Sequence, residues 1–174
     1  GSNGSGKTTL LKMLSGMIRP TKGRITFGDK DIWDDIDEFR KKVGVVFEEP
    51  MLFSDATLLE NLRFVMTLYG CTNVEAHIEK WVNEFKLSHQ LHEPFKYLSR
   101  GERQKASLIR AFAPDPELLI FDEPLTSLDI ESRQMILNAF ENSTQTLVVS
   151  SHEPMIFSKR NAVTIDMNHE RVRL

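Results

Sequence analysis

The sequence predicts an α/β fold with a parallel-sheet core, and three observations predict it. A glycine-rich loop runs directly into a helical pattern at the start of the chain, and strand-like runs alternate with helical ones through most of the remainder. One fully apolar run then ends in two adjacent acids, Asp122 and Glu123, as a buried parallel strand does when it delivers its carboxyl end to a ligand crevice. The 174 residues suit one domain of ordinary size.

The elements follow in order. Gly1-Ser2-Asn3-Gly4-Ser5-Gly6-Lys7-Thr8 fits G-x-x-x-x-G-K-[ST], a phosphate-binding loop. Leu10, Leu11, Leu14 and Ile18 then recur at helical spacing until Pro20. Such a loop normally follows a strand, so the expectation is a fragment that lacks the segment before the loop. Residues 24–27 read as a strand closed by the turn Gly28-Asp29, and residues 43–47 as a strand apolar on both faces. Residues 58–68 and 74–85 read as helices, the second with Ile78, Trp81, Val82 and Phe85 on one face. Residues 102–113 form a third such pattern, ended by Pro114 and Pro116. Strand 118–121, helix 131–142, and strands 146–149 and 162–167 complete the chain. The expected organisation is a single domain over residues 1–174, with a helical subdomain at about 50–100 inserted in the core.

Composition narrows the function. A net charge of −3 argues against a domain that grips nucleic acid by electrostatics. No apolar run approaches the roughly 20 residues of a membrane span. The single cysteine, Cys71, excludes an internal disulfide.

Three motifs carry chemistry. In the first, backbone N–H groups of the glycine-rich loop make an anion cradle, Lys7 reaches β- and γ-phosphates, and the Thr8 hydroxyl suits Mg²⁺. In the second, Asp122 would hold Mg²⁺ through water and Glu123 would orient and polarise an attacking water. The third, Leu98-Ser99-Arg100-Gly101-Glu102, is a capping box at a helix start and also an anion site, since the cap presents a hydroxyl and N–H groups together.

With these motifs in this order, the chain resembles the ATP-binding cassette (ABC) ATPases over essentially its whole length. The phosphate loop matches Gly1 to Thr8, the signature loop (usually LSGGQ) matches Leu98 to Glu102, and the acidic strand matches Leu118 to Glu123. The D-loop matches Ser127-Leu128-Asp129, the switch histidine is His152, and the glutamine loop falls at Val46 to Pro50 with Glu48 in place of glutamine. Leu59 to Phe64 followed by Leu68-Tyr69-Gly70 is similar to the exporter branch, which includes drug and haem-export ATPases.

The resemblance implies a P-loop NTPase core and the nucleotide-binding subunit of a transporter, an ATP hydrolase using ATP and Mg²⁺. Two subunits, alike or different, would face head to tail. Asn3, Gly4, Ser5, Gly6, Lys7, Thr8 and Thr9 would bind ATP, and Ser99, Arg100, Gly101 and Glu102 would reach the partner's nucleotide. Glu123, His152 and Lys7 would be catalytic, Thr8, Glu48 and Asp122 would serve the metal, and Asp129 would line the dimer interface. Transmembrane permease subunits would be the partners, at the cytoplasmic face of the membrane, with no nucleic acid. The alternative is a soluble ABC-type ATPase acting on DNA or ribosomes. Arg100, Glu102 and Glu48 depart from the family pattern, and at Glu48 a neutral amide becomes a carboxylate near the metal.

Other residues read more plainly. His77, His89 and His92 suit surface or interhelical roles, Trp33 and Trp81 suit packing, and Met51, Met66 and Met155 suit gap-filling in or near the core.

Overall fold

The computed structural model describes residues 1–2, 4–126, 128–153 and 162–167. In chain order it contains α1 (Lys7–Leu14), β1 (Thr26–Phe27), β2 (Lys30–Asp31), α2 (Ile36–Arg40), β3 (Val43–Val46), α3 (Leu58–Leu68) and α4 (Val74–Glu84). Then come α5 (Arg100–Phe112), β4 (Leu118–Asp122), α6 (Ile130–Asn142) and β5 (Thr146–Ser150). Three strands form a parallel sheet in the order β3-β4-β5, with Val43 beside Leu118 and Asp122 beside Ser150.

A parallel sheet must be covered on both faces, and β4 shows how the sequence arranges this. Its side chains alternate across the sheet. Leu119 and Phe121 enter the larger core with α3, α4, α5 and α6, whereas Leu118 and Ile120 enter a smaller one with Leu11 of α1 and Phe39 of α2. Phe112 of α5 is central to the larger core, stacked on Trp81 at 4.7 Å and 5.6 Å from the Phe121 ring. Met66 is fully buried there, as expected of a gap-filler, but Met51 is 46% exposed and fills no gap. Its backbone is left-handed, at φ 54°, on the loop that leaves β3.

Helix α5 lies against β3 closely enough to require glycine. A Cβ on Gly44 would fall 2.4 Å from the Ala111 carbonyl oxygen and 2.7 Å from a Leu119 methyl. Gly44→Ala is therefore expected to destabilise the fold by about 1–3 kcal/mol, the usual cost of overpacking, read as a lower urea midpoint at unchanged slope.

Four expectations need correction. Helix α1 ends at Leu14, not near Pro20, because Gly16 takes a left-handed turn. Met17 N–H bonds the Lys12 carbonyl at 2.9 Å and Gly16 N–H that of Met13 at 3.0 Å, a complete Schellman stop. Ile18 consequently lies outside the helix, 42% exposed. Residues 24–27 shorten to β1, which pairs antiparallel with β2 in a separate hairpin. Residues 162–167 hold only an isolated bridge at Ile165 and no strand. Helix α2 was not anticipated; five residues are too few for periodicity, though Asp35 caps it by accepting the Glu38 N–H at 3.2 Å. Met155 lies outside the described residues.

Candidate functional site

The carboxyl ends of β4 and β5 and the amino end of α1 meet at one place. Gly6 is the N-cap of α1 at φ 92°, a conformation open to glycine, with no side-chain cap and no acid in the first turn. The first N–H groups of α1 are thus left for an anion. Lys7 Nζ donates to the carbonyls of Gly1 (2.9 Å) and Ser2 (3.0 Å), and the Ser5 hydroxyl is buried without a partner. Asn3 lies outside the described residues.

Asp122 joins the elements. It accepts the Thr8 hydroxyl on Oδ2 at 2.6 Å and the Ser150 hydroxyl on Oδ1, so one carboxylate bridges α1 and β5 at the end of β4. The backbone then turns left-handed at Glu123, φ 49°, where its N–H donates to Ser150 Oγ at 2.9 Å. Left-handed backbone at a non-glycine residue costs of order 1–3 kcal/mol and persists where the surroundings enforce it. Here it lifts Glu123 off the strand. Glu123 Oε1 is buried, lacks a hydrogen bond, and sits 3.2 Å from His152 Nε2, within ion-pair range.

Lys7, Thr8, Asp122, Glu123 and His152 line a cleft of about 700 Å³ that also reaches Thr9, Glu48, Arg100 and Leu128, whereas Ser5 lies behind its wall. Ser99, Gly101 and Glu102 do not line it; Arg103 and Gln104 do, one helical turn beyond Arg100. Neither was singled out from the sequence, although the i, i+3, i+4 spacing from Arg100 places all three on one face. Gln104 also donates to the Pro124 carbonyl at 3.3 Å, tying α5 to the acidic turn.

The capping box at α5 is complete. Ser99 Oγ accepts the Glu102 N–H at 3.3 Å, and Glu102 accepts the Ser99 N–H at 2.8 Å and the Gln90 amide at 2.9 Å. The Ser99 N–H and hydroxyl hold the Glu102 carboxyl below its usual range, so the charged form stabilises the cap. Asp129 caps α6 in the same manner, accepting from the Ser132 N–H at 2.8 Å and hydroxyl at 2.9 Å. Ser127 lies outside the described residues.

Among the described residues, no group of three or more His, Cys, Asp and Glu side chains could hold a metal by itself. His77 Nδ1 lies 2.8 Å from the Ala113 carbonyl, an interhelical contact, and Cys71 approaches the Pro114 carbonyl at 3.7 Å. No helix among these residues is long and apolar enough to cross a membrane.

Residues 1–126 match the family profile described as ABC transporter. The chain is 35% identical over 158 residues to a protein of Archaeoglobus fulgidus that carries the name of an ABC transporter ATP-binding protein, covering 88% of this chain and 66% of that one. It is 34% identical over 158 residues to the ABC transporter ATP-binding protein NatA of Bacillus subtilis, covering 87% and 64% respectively. A solved structure of the ATP binding subunit of an ABC transporter superimposes with a TM-score of 0.82 at 27% identity, over 91% of this chain and 68% of that one. The chain spans about two thirds of the length of these relatives.

Proposed function

The chain belongs to the ABC transporter family, and from that premise we propose that it binds and hydrolyses ATP to drive transport by membrane partners. The observation that carries this reading is the Asp122 bridge: one carboxylate holds Thr8 of the phosphate loop while the next residue projects a half-buried carboxylate, one oxygen of which lacks a hydrogen bond and lies 3.2 Å from His152.

The uncapped start of α1, the left-handed glycines and the orphaned Ser5 hydroxyl fit a polyphosphate. Lys7 would exchange the Gly1 and Ser2 carbonyls for β- and γ-phosphate oxygens, a replacement of weak acceptors by charged ones. Thr8 and Asp122 offer oxygen donors only, which fits Mg²⁺, and Glu48 stands at the same cleft. Mg²⁺, when bound, supplies neutralisation of the phosphate charge. Glu123 orients the attacking water and accepts its proton; His152 positions that carboxylate and donates toward the γ-phosphate.

The working unit in this reading is a head-to-tail dimer, with Ser99, Arg100, Gly101 and Glu102 presented to the partner's nucleotide and Asp129 near the interface. Residues 1–174 act as one ATPase domain, with residues 50–100 as its helical insertion. Permease subunits at the cytoplasmic face would meet that insertion, where Phe53 (58% exposed) stacks edge-on against exposed Phe64 at 5.2 Å and Leu68 lies one turn further along α3. Such a patch suits an apolar partner surface.

Subunit mixing tests the shared site. A Lys7→Ala subunit combined with a Ser99→Arg subunit places both lesions in one site and leaves the other intact. Phosphate release by the mixture is expected to exceed that of either mutant alone. Demonstrated heterodimers with no recovery would count against composite sites.

A further inference from the structure

We propose that Arg110 is a positioning residue that ties the Glu48 loop to the helix starting at Ser99; the inference rests on the functional reading of that loop. Among the described residues β3 lies at the edge of the sheet, and its carbonyls alternate in direction. The Lys42 carbonyl accepts from Leu118 on β4, so those of Val43 and Val45 face outward. Tyr69 donates its hydroxyl to Val43 at 2.5 Å, and Arg110 donates Nη2 to Val45 at 2.5 Å. The same Nη2 lies 3.8 Å from Met51 Sδ. One guanidinium thus touches the chain on both sides of Glu48.

The cost of placing it there is the reason to assign it a task. Arg110 is 8% exposed, its Nε has no hydrogen-bond partner, and among the described residues the one ionisable group that acts on its charge is the Tyr69 hydroxyl, with no carboxylate beside it. Burial pushes the guanidinium down from its ordinary value. An uncompensated buried cation is expensive, and an apolar side chain of similar length would pack there more cheaply. What an apolar side chain lacks is the directed bond to Val45. Arg110 stands eleven residues after Ser99 on one continuous helix, about 16 Å along its axis, and α5 packs on β3 without intervening side chain at Gly44. A displacement at the Ser99 end is therefore transmitted to the Glu48 loop through Val45 and Met51.

The test uses Arg110→Met in the full-length protein. Hydrogen exchange, read without nucleotide, is expected to speed about tenfold or more for amides 47–52 while β4 amides keep wild-type protection. In ATPase assays the same variant is expected to raise the Mg²⁺ concentration for half-maximal rate several-fold, and its effect is expected not to multiply with that of Glu48→Gln. If Arg110→Met unfolds the protein, Met51→Ala, on an exposed side chain, is expected to loosen the same amides to a smaller degree. Unchanged exchange at 47–52 in the folded variants, or loosening spread equally over β4, would overturn the tether. A wild-type protein without ATPase activity would sink the functional reading, while the exchange result would still decide the contact.

Discussion

Glu123→Gln is expected to slow ATP turnover by about 10²–10⁴-fold and to leave ATP binding intact, the span that a positioned acid–base group contributes. The structure makes this a clean substitution. The Glu123 backbone is fixed by Ser150, through bonds of 2.9 Å to the hydroxyl and 3.2 Å to the carbonyl, so an amide of the same shape inherits the same pose. What is lost is the basic oxygen beside His152. The binding residues Lys7 and Thr8 stand on another element and keep their partners. Nucleotide titration and single-turnover phosphate release separate the two effects, and the slowed variant is expected to accumulate as an ATP-bound dimer on size exclusion. Wild-type turnover by the variant would remove Glu123 from the chemistry.

Phe121→Ala is expected to cost about 3–5 kcal/mol, the range for deleting a buried aromatic. Phe121 is fully buried, with its ring 4.6 Å from that of Phe140 and 5.6 Å from that of Phe112, and these rings join β4 to α5 and α6. Against a typical total of 5–15 kcal/mol this is a large fraction of the stability. For a domain of this size it corresponds to roughly 6–20 °C in Tm. Because Asp122 follows directly, the loss reaches the cleft as well as the core. A urea midpoint corresponding to less than about 1 kcal/mol would mean that the helices close over the gap.

Much of this was legible in sequence wherever the determinants are contiguous. Helix α3 runs over the same residues, 58–68, that its helical pattern gives in the sequence, and β4 follows an unbroken apolar run that ends in two acids. The phosphate loop and the acidic pair are legible for the same reason. Contacts between distant residues were not. Thr8 meets Asp122 across 114 positions, and Ser150, which holds both Asp122 and the Glu123 backbone, is one polar residue at the end of an ordinary strand. Arg110 carries no motif in the sequence, and only the fold buries it. The early end of α1 was visible in Gly16 and was masked by the stronger punctuation of Pro20.

The occupied carbonyls of β3 also govern how this sheet meets other polypeptides. A bare edge strand is a template for intermolecular pairing and for aggregation. Val43 and Val45 are closed to that by Tyr69 and Arg110, donors carried on elements already packed against the strand. A chain adding to this side would have to displace Tyr69 and Arg110 before it could use either of these two acceptors. An incoming strand would therefore meet a side of the sheet on which α5 is already packed.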